Sequence, residues 1–252
     1  MDLFEVLILA VLQGLTEWLP ISSSGHLVLA ETLMGLNVPL GFYAVLHLGT
    51  LLAVIIYFRG DLIHIVDAFL RAETNSSDFR LGLYVISGTI PTLVLALAFR
   101  GFFESLFSKP LAVAAGLLIT GALLLSSKYG SRSLKVDLPR SILIGLFQGF
   151  AIAPGISRSG ATVSIALASG VQAKEAFRYS FILSIPAIIG ANILEFGSTY
   201  ALGYHSILGF AIAAATGYVA IKIVDLFVLR EKFYLFSIYC FALAVASIIT
   251  VL

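Results

Sequence analysis

Charge is scarce in this chain of 252 residues. Lys, Arg, Asp and Glu together account for 12% of it, hydrophobic residues account for 60%, and the mean hydropathy is +1.04. A soluble domain has no use for that much apolar surface, whereas a protein whose outer face contacts lipid requires it. The net charge of +1 does not indicate a partner; a chain of this composition is expected to have membrane lipids rather than nucleic acid as partners.

Cysteine is almost absent as well. The single cysteine, Cys240, excludes an intramolecular disulfide and a cysteine-based metal cluster. The first residues include the acidic Asp2 and Glu5 and lack the basic start of a signal peptide, so we expect this segment to be retained.

Apolar segments long enough to cross a bilayer are, in contrast, abundant. A hydrocarbon core of ~30 Å needs a helix of ~20 residues. Six segments approach that length: residues 40–58, 81–99, 110–127, 176–195, 205–224 and 234–252. The sequence therefore predicts an all-α integral membrane protein.

Two further helical regions, 3–34 and 140–169, are too broken to be ordinary spans. Pro20 and Pro154 interrupt them, and the helix that follows each proline stops at a glycine. Such a helix has about 13 residues and covers only ~20 Å, which is too short to cross. We predict that each region is a re-entrant helix pair whose polar tip lies at membrane depth, surrounded by protein or by water.

These two regions contain versions of the same segment, residues 13–28 and 148–163. Aligned without a gap, they share identical residues at Gln13/Gln148, Gly14/Gly149, Ile21/Ile156, Ser22/Ser157, Ser24/Ser159, Gly25/Gly160 and Val28/Val163. The duplication predicts one membrane domain over 1–252, with a first repeat at about 1–127 and a second at about 140–252. Each repeat has one re-entrant pair and three transmembrane helices, and because three is odd we expect the second repeat to be inverted. Inverted repeats place their broken helices at one site near the midplane.

Basic residues are distributed unequally between the two sides of this topology. One side has Arg100 and Lys109, while Arg158 lies at a tip. The other side has Arg59, Arg71, Arg80, Lys128, Arg132, Lys135, Arg140, Lys174, Arg178, Lys222, Arg230 and Lys232. Because basic loops stay in the cytoplasm, we expect a multi-pass protein of the cytoplasmic membrane, with both termini and the opening of the site toward the outside.

Both tips begin their returning helix with serine and glycine. Serine caps helix N-termini, where unpaired N–H groups and a partial positive charge bind anions. Arg158 adds a planar cation that matches phosphate oxygens and needs an anionic partner at this depth. That partner is either a phosphate, which makes two facing tips a diphosphate site, or Glu17 in a structural ion pair. The residues expected to bind phosphate are Ser22, Ser24, Gly25, Ser157, Ser159, Gly160 and Thr162.

Glu17 and His26 distinguish the first tip from the second. Glu17 lies four residues after Gln13 on one helix face, where the carboxylate can bind a divalent cation with Gln13, act as a base or pair with the arginine of the other tip. His26 lies three residues after Ser23 and four after Ser22, so either hydroxyl can reach the imidazole, as in a serine activated by histidine. His26 can alternatively attack phosphorus itself or protonate the leaving phosphate.

A few polar residues fall within the predicted spans, away from the tips. His47 and Asn192 are two of them. Either can line a cavity at the site, but hydrogen bonding between helices is the interpretation that we favour for both.

Three motifs together make the chain similar to the undecaprenyl-diphosphatase family, also called the bacitracin-resistance protein family. They are the pair Gln13 and Glu17, the run Ser22–His26, and the run Pro154–Thr162. The resemblance covers the whole chain and departs at Gln13, where many relatives have Glu, which argues against a mechanism that needs two carboxylates there. It implies an undecaprenyl-diphosphate phosphatase, which forms undecaprenyl phosphate and inorganic phosphate, recycles the lipid carrier of cell-wall polymers and confers bacitracin resistance. It also implies a divalent cation, Mg²⁺ or Ca²⁺, and a homodimer.

The residues and the resemblance together assign the predicted roles. Glu17, Ser23, His26 and Arg158 are the predicted catalytic residues, and Glu17 and Gln13 are the predicted cation ligands. The competing hypothesis is an inverted-repeat transporter or flippase for a lipid phosphate or a small anion. The difference between the tips favours the enzyme, because a symmetric anion carrier needs no Ser/His pair in one tip and arginine in the other.

Overall fold

The computed structural model describes residues 2–107, 109–129, 132–195 and 203–251. The helices in these ranges are α1 (Leu3–Trp18), α2 (Ser23–Met34), α3 (Leu40–Tyr57), α4 (Arg59–Leu70), α5 (Ser77–Ala98), α6 (Arg100–Phe107), α7 (Pro110–Ser126), α8 (Leu138–Phe150), α9 (Arg158–Ala168), α10 (Ala173–Glu195), α11 (Tyr204–Leu229) and α12 (Phe236–Val251). Within the described ranges the β pairing is limited to one bridge between Leu134 and Val171. The prediction of an all-α fold is confirmed.

Each of the six predicted spans is a helix, and four of them, α3, α5, α10 and α11, are long and apolar enough to cross a membrane. Helices α7, of 17 residues, and α12, of 16 residues, are apolar but shorter, and α7 joined to α6 forms a fifth candidate span. The last residue of the span predicted at 234–252 lies outside the described residues. The chain is therefore a multi-pass membrane protein, while separate crossings by α7 and α12 stay a prediction.

The outer surface of the long helices is apolar. Large hydrophobic side chains such as Ile193 of α10, Ile207 of α11 and Ile249 of α12 remain more than half exposed. In water an apolar surface of this extent favours aggregation, whereas in a bilayer it contacts lipid tails. The exposed surface therefore supports the membrane location independently of helix length.

Helices α4 and α6 lie where the sequence analysis predicted connecting segments between spans. Each is short and exposes both charged and apolar side chains, such as Ile63 and Leu70 in α4, and Phe102 beside the ion pair Arg100–Glu104 in α6. Helices of this kind suit the boundary between membrane and water. Long apolar runs do not predict these helices, because neither has the length of a span.

The regions 3–34 and 140–169 each form two helices joined by a tight tip, as predicted. Ser22 caps α2 and Ser157 caps α9, because each side-chain oxygen accepts the N–H of the glycine three residues on. Helix α2 then ends at Gly35, which has the left-handed φ of +64° common at helix C-termini. The sequence of each short helix thus sets its limits, and entry of the two pairs from opposite membrane faces stays a prediction.

The first helix of each half packs against the other half of the chain. Helix α1 packs along α11, the middle span of the second half, and α8 packs along α5, the middle span of the first half. The first spans, α3 and α10, contact each other, and so do the last spans, α7 and α12. This reciprocal packing agrees with the predicted repeat of the two halves, and the inversion of the second repeat stays a prediction.

Glycines allow α1 and α8 to approach their partner helices closely. Gly14 of α1 faces Thr216 and the carbonyl of Ala213 in α11, and Gly145 of α8 faces the backbone of Gly88 in α5. A Cβ atom at either glycine would overlap its neighbour, so the close approach depends on the absence of a side chain.

Arg178 and the segment 59–80, which carries three more basic residues, lie at one end of the bundle. Arg178, near the start of α10, donates to Asp61 of α4 at 2.6 Å and to Asp78 of α5 at 2.9 Å. At the same end, Tyr57 of α3 donates to Asp225 of α11 at 2.7 Å. This clustering agrees with the unequal distribution of basic residues, and the placement of this end in the cytoplasm stays a prediction.

We predict that Gly145→Ala destabilises the protein by about 1–3 kcal/mol, because the added methyl group forces α8 away from α5. The measurement is the midpoint of thermal unfolding in detergent, followed by the fluorescence of Trp18, the single tryptophan. Gly190→Ala is the matched control, since no heavy atom of the described residues outside its own helix lies within 4 Å of the added Cβ. Equal midpoints for the two variants would contradict the close packing of α5 on α8.

Candidate active site

The tips of the two helix pairs contact each other directly. Ser159 Oγ of the second tip lies 3.4 Å from the carbonyl oxygen of Leu19 in the first, and a Cβ at Gly25 would lie 3.9 Å from the Cα of Gly155. Gly155 has a left-handed φ of +86°, and a side chain there would overlap the carbonyl of Val113 in α7. The repeated segments therefore meet at one place between the halves.

Glu17 is the centre of a hydrogen-bond network that joins the two tips. Arg158 Nη2 lies 2.6 Å from Glu17 Oε1. The other carboxylate oxygen, Oε2, accepts from Ser23 Oγ at 2.8 Å and from Gln13 Nε2 at 3.1 Å, and His47 Nε2 lies 3.6 Å from it. Only 8% of the Glu17 side chain is exposed, so the carboxylate depends on these partners rather than on water.

The ion pair uses only part of the Arg158 guanidinium. Its central carbon lies 4.8 Å from the centre of the Trp18 ring, and this stacking orients the group. The second terminal nitrogen, Nη1, is buried and has no hydrogen-bond partner among the described residues. Leaving a buried N–H unpaired is costly, and a phosphate oxygen would satisfy it. Pairing with Glu17 and binding of phosphate are therefore compatible, because they involve different nitrogens.

The serine hydroxyls repeat one local pattern at both tips. Ser22 Oγ lies 3.2 Å from Ser24 Oγ, and Ser157 Oγ lies 3.2 Å from Ser159 Oγ. The first serine of each pair is also the helix cap. The identical residues of the repeat thus produce identical capping geometry in the two halves.

The predicted phosphate-binding hydroxyls of the second tip are buried. Ser157, Ser159 and Thr162 are at most 3% exposed, and the Thr162 hydroxyl donates to the carbonyl oxygen of Arg158 at 2.8 Å. These contacts hold the turn that carries the arginine, whereas Ser23 in the first tip is partly exposed. Phosphate binding by the hydroxyls and glycines of the tips stays a prediction.

His26 pairs with a backbone carbonyl and a tyrosine and not with a serine hydroxyl, so of the alternatives considered for it the structure does not have the serine–histidine pair. Its Nδ1 lies 2.7 Å from the backbone carbonyl oxygen of Ser22, and its Nε2 lies 2.6 Å from the hydroxyl of Tyr239. The Ser22 hydroxyl is occupied in capping, and the Ser23 hydroxyl donates to Glu17. The histidine and the candidate serine therefore belong to separate hydrogen-bond networks.

Sequence reasoning missed or undervalued three residues of the site. Trp18 directly follows Glu17, and its position beside the only acid of the tip was the available signal. His47 of α3 lies 3.6 Å from Glu17 of α1, so it makes a contact between two helices and also borders the site. Tyr239 lies on α12 with no motif around it, so its contact depends on the fold alone.

Asn192 donates to a carbonyl of its own helix at 2.9 Å rather than to another helix.

Oxygen atoms around Glu17 form the set that fits a divalent cation. The described residues contain no group of three or more His, Cys, Asp or Glu side chains that could hold a metal ion. However, Gln13 Oε1 is buried without a hydrogen-bond partner in the described structure, and Nε2 of the same amide donates to the Glu17 carboxylate. Mg²⁺ commonly takes one or two protein oxygens and completes its shell with water and substrate phosphates. These residues therefore fit an open cation site rather than a closed cage.

The fold and the site together define an integral membrane protein with an ion-paired, hydroxyl-rich site where two helix–turn–helix tips meet. The family described as "Bacitracin resistance protein BacA" matches residues 6–246. The chain belongs to this family, so the family predicted from the tip motifs is confirmed.

Curated relatives match over almost the whole chain. The undecaprenyl-diphosphatase of Korarchaeum cryptofilum is 43% identical, with 98% of each chain covered. The undecaprenyl-diphosphatase of Rubrobacter xylanophilus is 37% identical over 97% of this chain and 96% of its own. That of Desulforapulum autotrophicum is 38% identical over 99% of this chain and 98% of its own. The similarity thus extends over both tips and the long helices.

We predict that Arg158→Met destabilises the protein by about 3–5 kcal/mol, because it leaves the Glu17 carboxylate buried without its charged partner. Adding Glu17→Gln to Arg158→Met should recover part of this loss, since no uncompensated charge remains. The midpoint of thermal unfolding in detergent measures both effects.

The exposed ion pair Arg100–Glu104 provides the matched control for this experiment. Arg100→Met should leave the midpoint unchanged, because both partners of that pair are more than half exposed to solvent. If Arg158→Met cost the same stability with and without the Glu17 carboxylate, the ion pair would have no structural role.

Proposed function

We propose that this chain hydrolyses undecaprenyl diphosphate to undecaprenyl phosphate and inorganic phosphate, which recycles the lipid carrier of cell-wall polymers and confers bacitracin resistance. The observation that carries the proposal is the hydrogen-bond network of Arg158, Glu17 and Ser23. In it the Arg158 guanidinium, which can bind phosphate, lies beside the Glu17 carboxylate that accepts a hydrogen bond from the Ser23 hydroxyl. The relatives that match over the full length are named undecaprenyl-diphosphatase. A site among apolar helices suits a substrate whose prenyl tail lies in the bilayer.

Arg158 is the proposed clamp for the terminal phosphate. Its unpartnered Nη1 can donate to a phosphate oxygen while Nη2 stays on Glu17. The N-terminus of α2 lies at the same meeting point and adds backbone N–H groups and a partial positive charge. The charged end of the lipid is therefore drawn to the tips, and its tail remains among the apolar helices.

Ser23 is the proposed attacking group. Its hydroxyl donates to Glu17 at 2.8 Å, so the carboxylate can take the proton as Ser23 Oγ bonds to the terminal phosphorus. The bond from that phosphorus to the bridging oxygen breaks, and undecaprenyl phosphate leaves with the bridging oxygen. Water then attacks the phosphoserine, Glu17 returns the proton to Ser23, and inorganic phosphate is released.

His26 is the proposed proton acceptor of the second step rather than the nucleophile. Both of its ring nitrogens already have hydrogen-bond partners, so neither presents a free lone pair to phosphorus. It lies one turn after Ser23 on the same face of α2, where it can receive a proton that the attacking water loses.

A divalent cation, Mg²⁺ or Ca²⁺, is part of the proposal. Glu17 and Gln13 would hold it through the carboxylate and the unpartnered amide oxygen. When bound, it would offset negative charge on the transferring phosphoryl group. Gln13 contributes no charge, so Glu17 supplies the single carboxylate of this set.

We also propose the orientation of the protein in the cytoplasmic membrane. The contacts of Arg178 with Asp61 and Asp78 join the start of α10 to the segment 59–80, which carries three more basic residues, and this supports placing that end in the cytoplasm. Both termini and the opening of the site then face the outside, and the second repeat is inverted relative to the first. The homodimer implied by the resemblance stays a prediction.

Transport of a lipid phosphate is the less well supported alternative. Reciprocal packing of the two halves is shared with inverted-repeat transporters. The tips differ, however, because the first provides Glu17 and His26 and the second provides Arg158. An alternating-access carrier does not need this difference, whereas a phosphoryl transfer needs a clamp, a base and an attacking hydroxyl.

We predict that Ser23→Ala lowers phosphate release from undecaprenyl diphosphate at least about 10²-fold, because no hydroxyl remains on the Glu17 carboxylate. The measurement is inorganic phosphate released by detergent-purified protein. Ser126→Ala is the matched control, since that hydroxyl donates only to a carbonyl of its own helix and should retain wild-type release. Full activity of Ser23→Ala would refute the assignment of the attacking group.

We predict that EDTA abolishes release, that Mg²⁺ restores it, and that Gln13→Leu raises the half-saturating Mg²⁺ concentration about tenfold by removing one oxygen ligand. A Mg²⁺ titration of wild type and variant measures this. Glu104→Gln, on the exposed helix α6, is the control for a general loss of negative charge. Identical titrations for wild type and Gln13→Leu would remove Gln13 from the cation site.

A further inference from the structure

The partners of His26 determine which ring nitrogen carries its proton. Nδ1 lies 2.7 Å from the Ser22 carbonyl oxygen, a group that only accepts, so Nδ1 carries the hydrogen. In the neutral imidazole Nε2 is then an acceptor, and the Tyr239 hydroxyl, 2.6 Å away, donates to it. Nε2 is therefore the atom of His26 that can accept a proton, and the Tyr239 hydroxyl is the group hydrogen-bonded to it.

Helix α12 fixes the phenol ring against the first tip. The rings of Tyr239 and His26 are nearly parallel, with 8° between their planes and 5.7 Å between their centroids. The next residue, Cys240, is buried, and its Sγ lies 3.4 Å from the carbonyl oxygen of Pro20. Two consecutive residues of the second half thus contact the first tip, so the position of the hydroxyl is set by the fold.

The side chain of Tyr239 is only partly covered by the rest of the protein. The residue is 44% exposed, in contrast to the fully buried Cys240. A phenol oxygen that donates one hydrogen bond still accepts another, so a water molecule can donate to it. A hydroxyl between a base and a water can pass a proton along by accepting one and giving up its own, and it stays neutral as it does so.

We propose that Tyr239 is a further catalytic residue, which relays a proton from the attacking water to His26. The inference rests on the proposed function. As the water oxygen bonds to the phosphorus of phosphorylated Ser23, the bond from phosphorus to Ser23 Oγ breaks and Glu17 returns its proton to that oxygen. The water proton passes to the Tyr239 oxygen while the tyrosine proton passes to His26 Nε2. The resulting imidazolium stays hydrogen-bonded through Nδ1 and later loses its proton to solvent.

Tyr239→Phe tests the relay, because it keeps the ring against His26 and removes only the hydroxyl. We expect kcat to fall about 10²-fold and KM to fall with it, so that kcat/KM changes little, because the slowed step follows formation of the phosphorylated protein. We also expect phosphorylated protein to accumulate, since the first step is intact and the second is slowed. The substrate carries ³²P in its terminal phosphate, and the measurement is the label that stays on the protein after an acid quench.

Tyr57→Phe is the matched control for Tyr239→Phe. It also loses a tyrosine hydroxyl that donates a side-chain hydrogen bond, here to Asp225 at 2.7 Å, but at the end of the bundle where Arg178 lies. We expect it to show the kcat and the low retained label of the wild type.

Each outcome decides one of the two proposals. Unchanged kcat in Tyr239→Phe overturns the relay, and so does a fall in kcat without additional label, which indicates a structural role. If Ser23→Ala abolishes the phosphate release of the wild type and Tyr239→Phe leaves it intact, the relay is overturned and the proposed function is supported. Absence of release by folded wild-type protein overturns the proposed function itself.

Discussion

The ion pair between Arg158 and Glu17 is the interaction on which the site depends. It joins the second tip to the first in a region where both side chains are mostly removed from solvent. Desolvation of two charges is compensated only when the geometry is good and the remaining donors and acceptors are satisfied. Ser23 and Gln13 satisfy the carboxylate, and Trp18 supports the guanidinium. One nitrogen of the arginine is left over, and this surplus gives the pair a binding capacity beyond its structural role.

The two tips show how different chemistry is placed on a duplicated framework. The identical serines cap their helices in the same way in both halves, so the backbone of each tip is set by the same local hydrogen bonds. The positions that differ between the repeats contribute the carboxylate, the imidazole and the guanidinium. The two tips, which contact each other, therefore bring together a carboxylate and a guanidinium that no single tip contains.

Much of the fold could be predicted from the sequence, because long apolar runs, prolines and capping residues act locally. Helices α4 and α6 could not, since their patterns are short and mixed. Within the site, the spacing of Gln13 and Glu17 and the charge of Arg158 indicated their partners. The spacing also allowed a contact of a serine hydroxyl with His26 that the structure does not have, because helical spacing shows which side chains are near one another and does not show which other groups compete for them. Tyr239 competes from a helix 213 positions away, and only tertiary packing reveals it.

The packing of α1 against α11 has a consequence for the synthesis of the protein. Helix α1 is made early, but its packing partner α11 begins only at Tyr204. Until that segment emerges from the ribosome, the face of α1 around Gly14 has no helix to pack against, and Glu17 is made long before Arg158. The first half must therefore wait in the membrane as an incomplete bundle, and the site is assembled only near the end of translation. Insertion of the last helices is thus a step of enzyme maturation as well as of membrane integration.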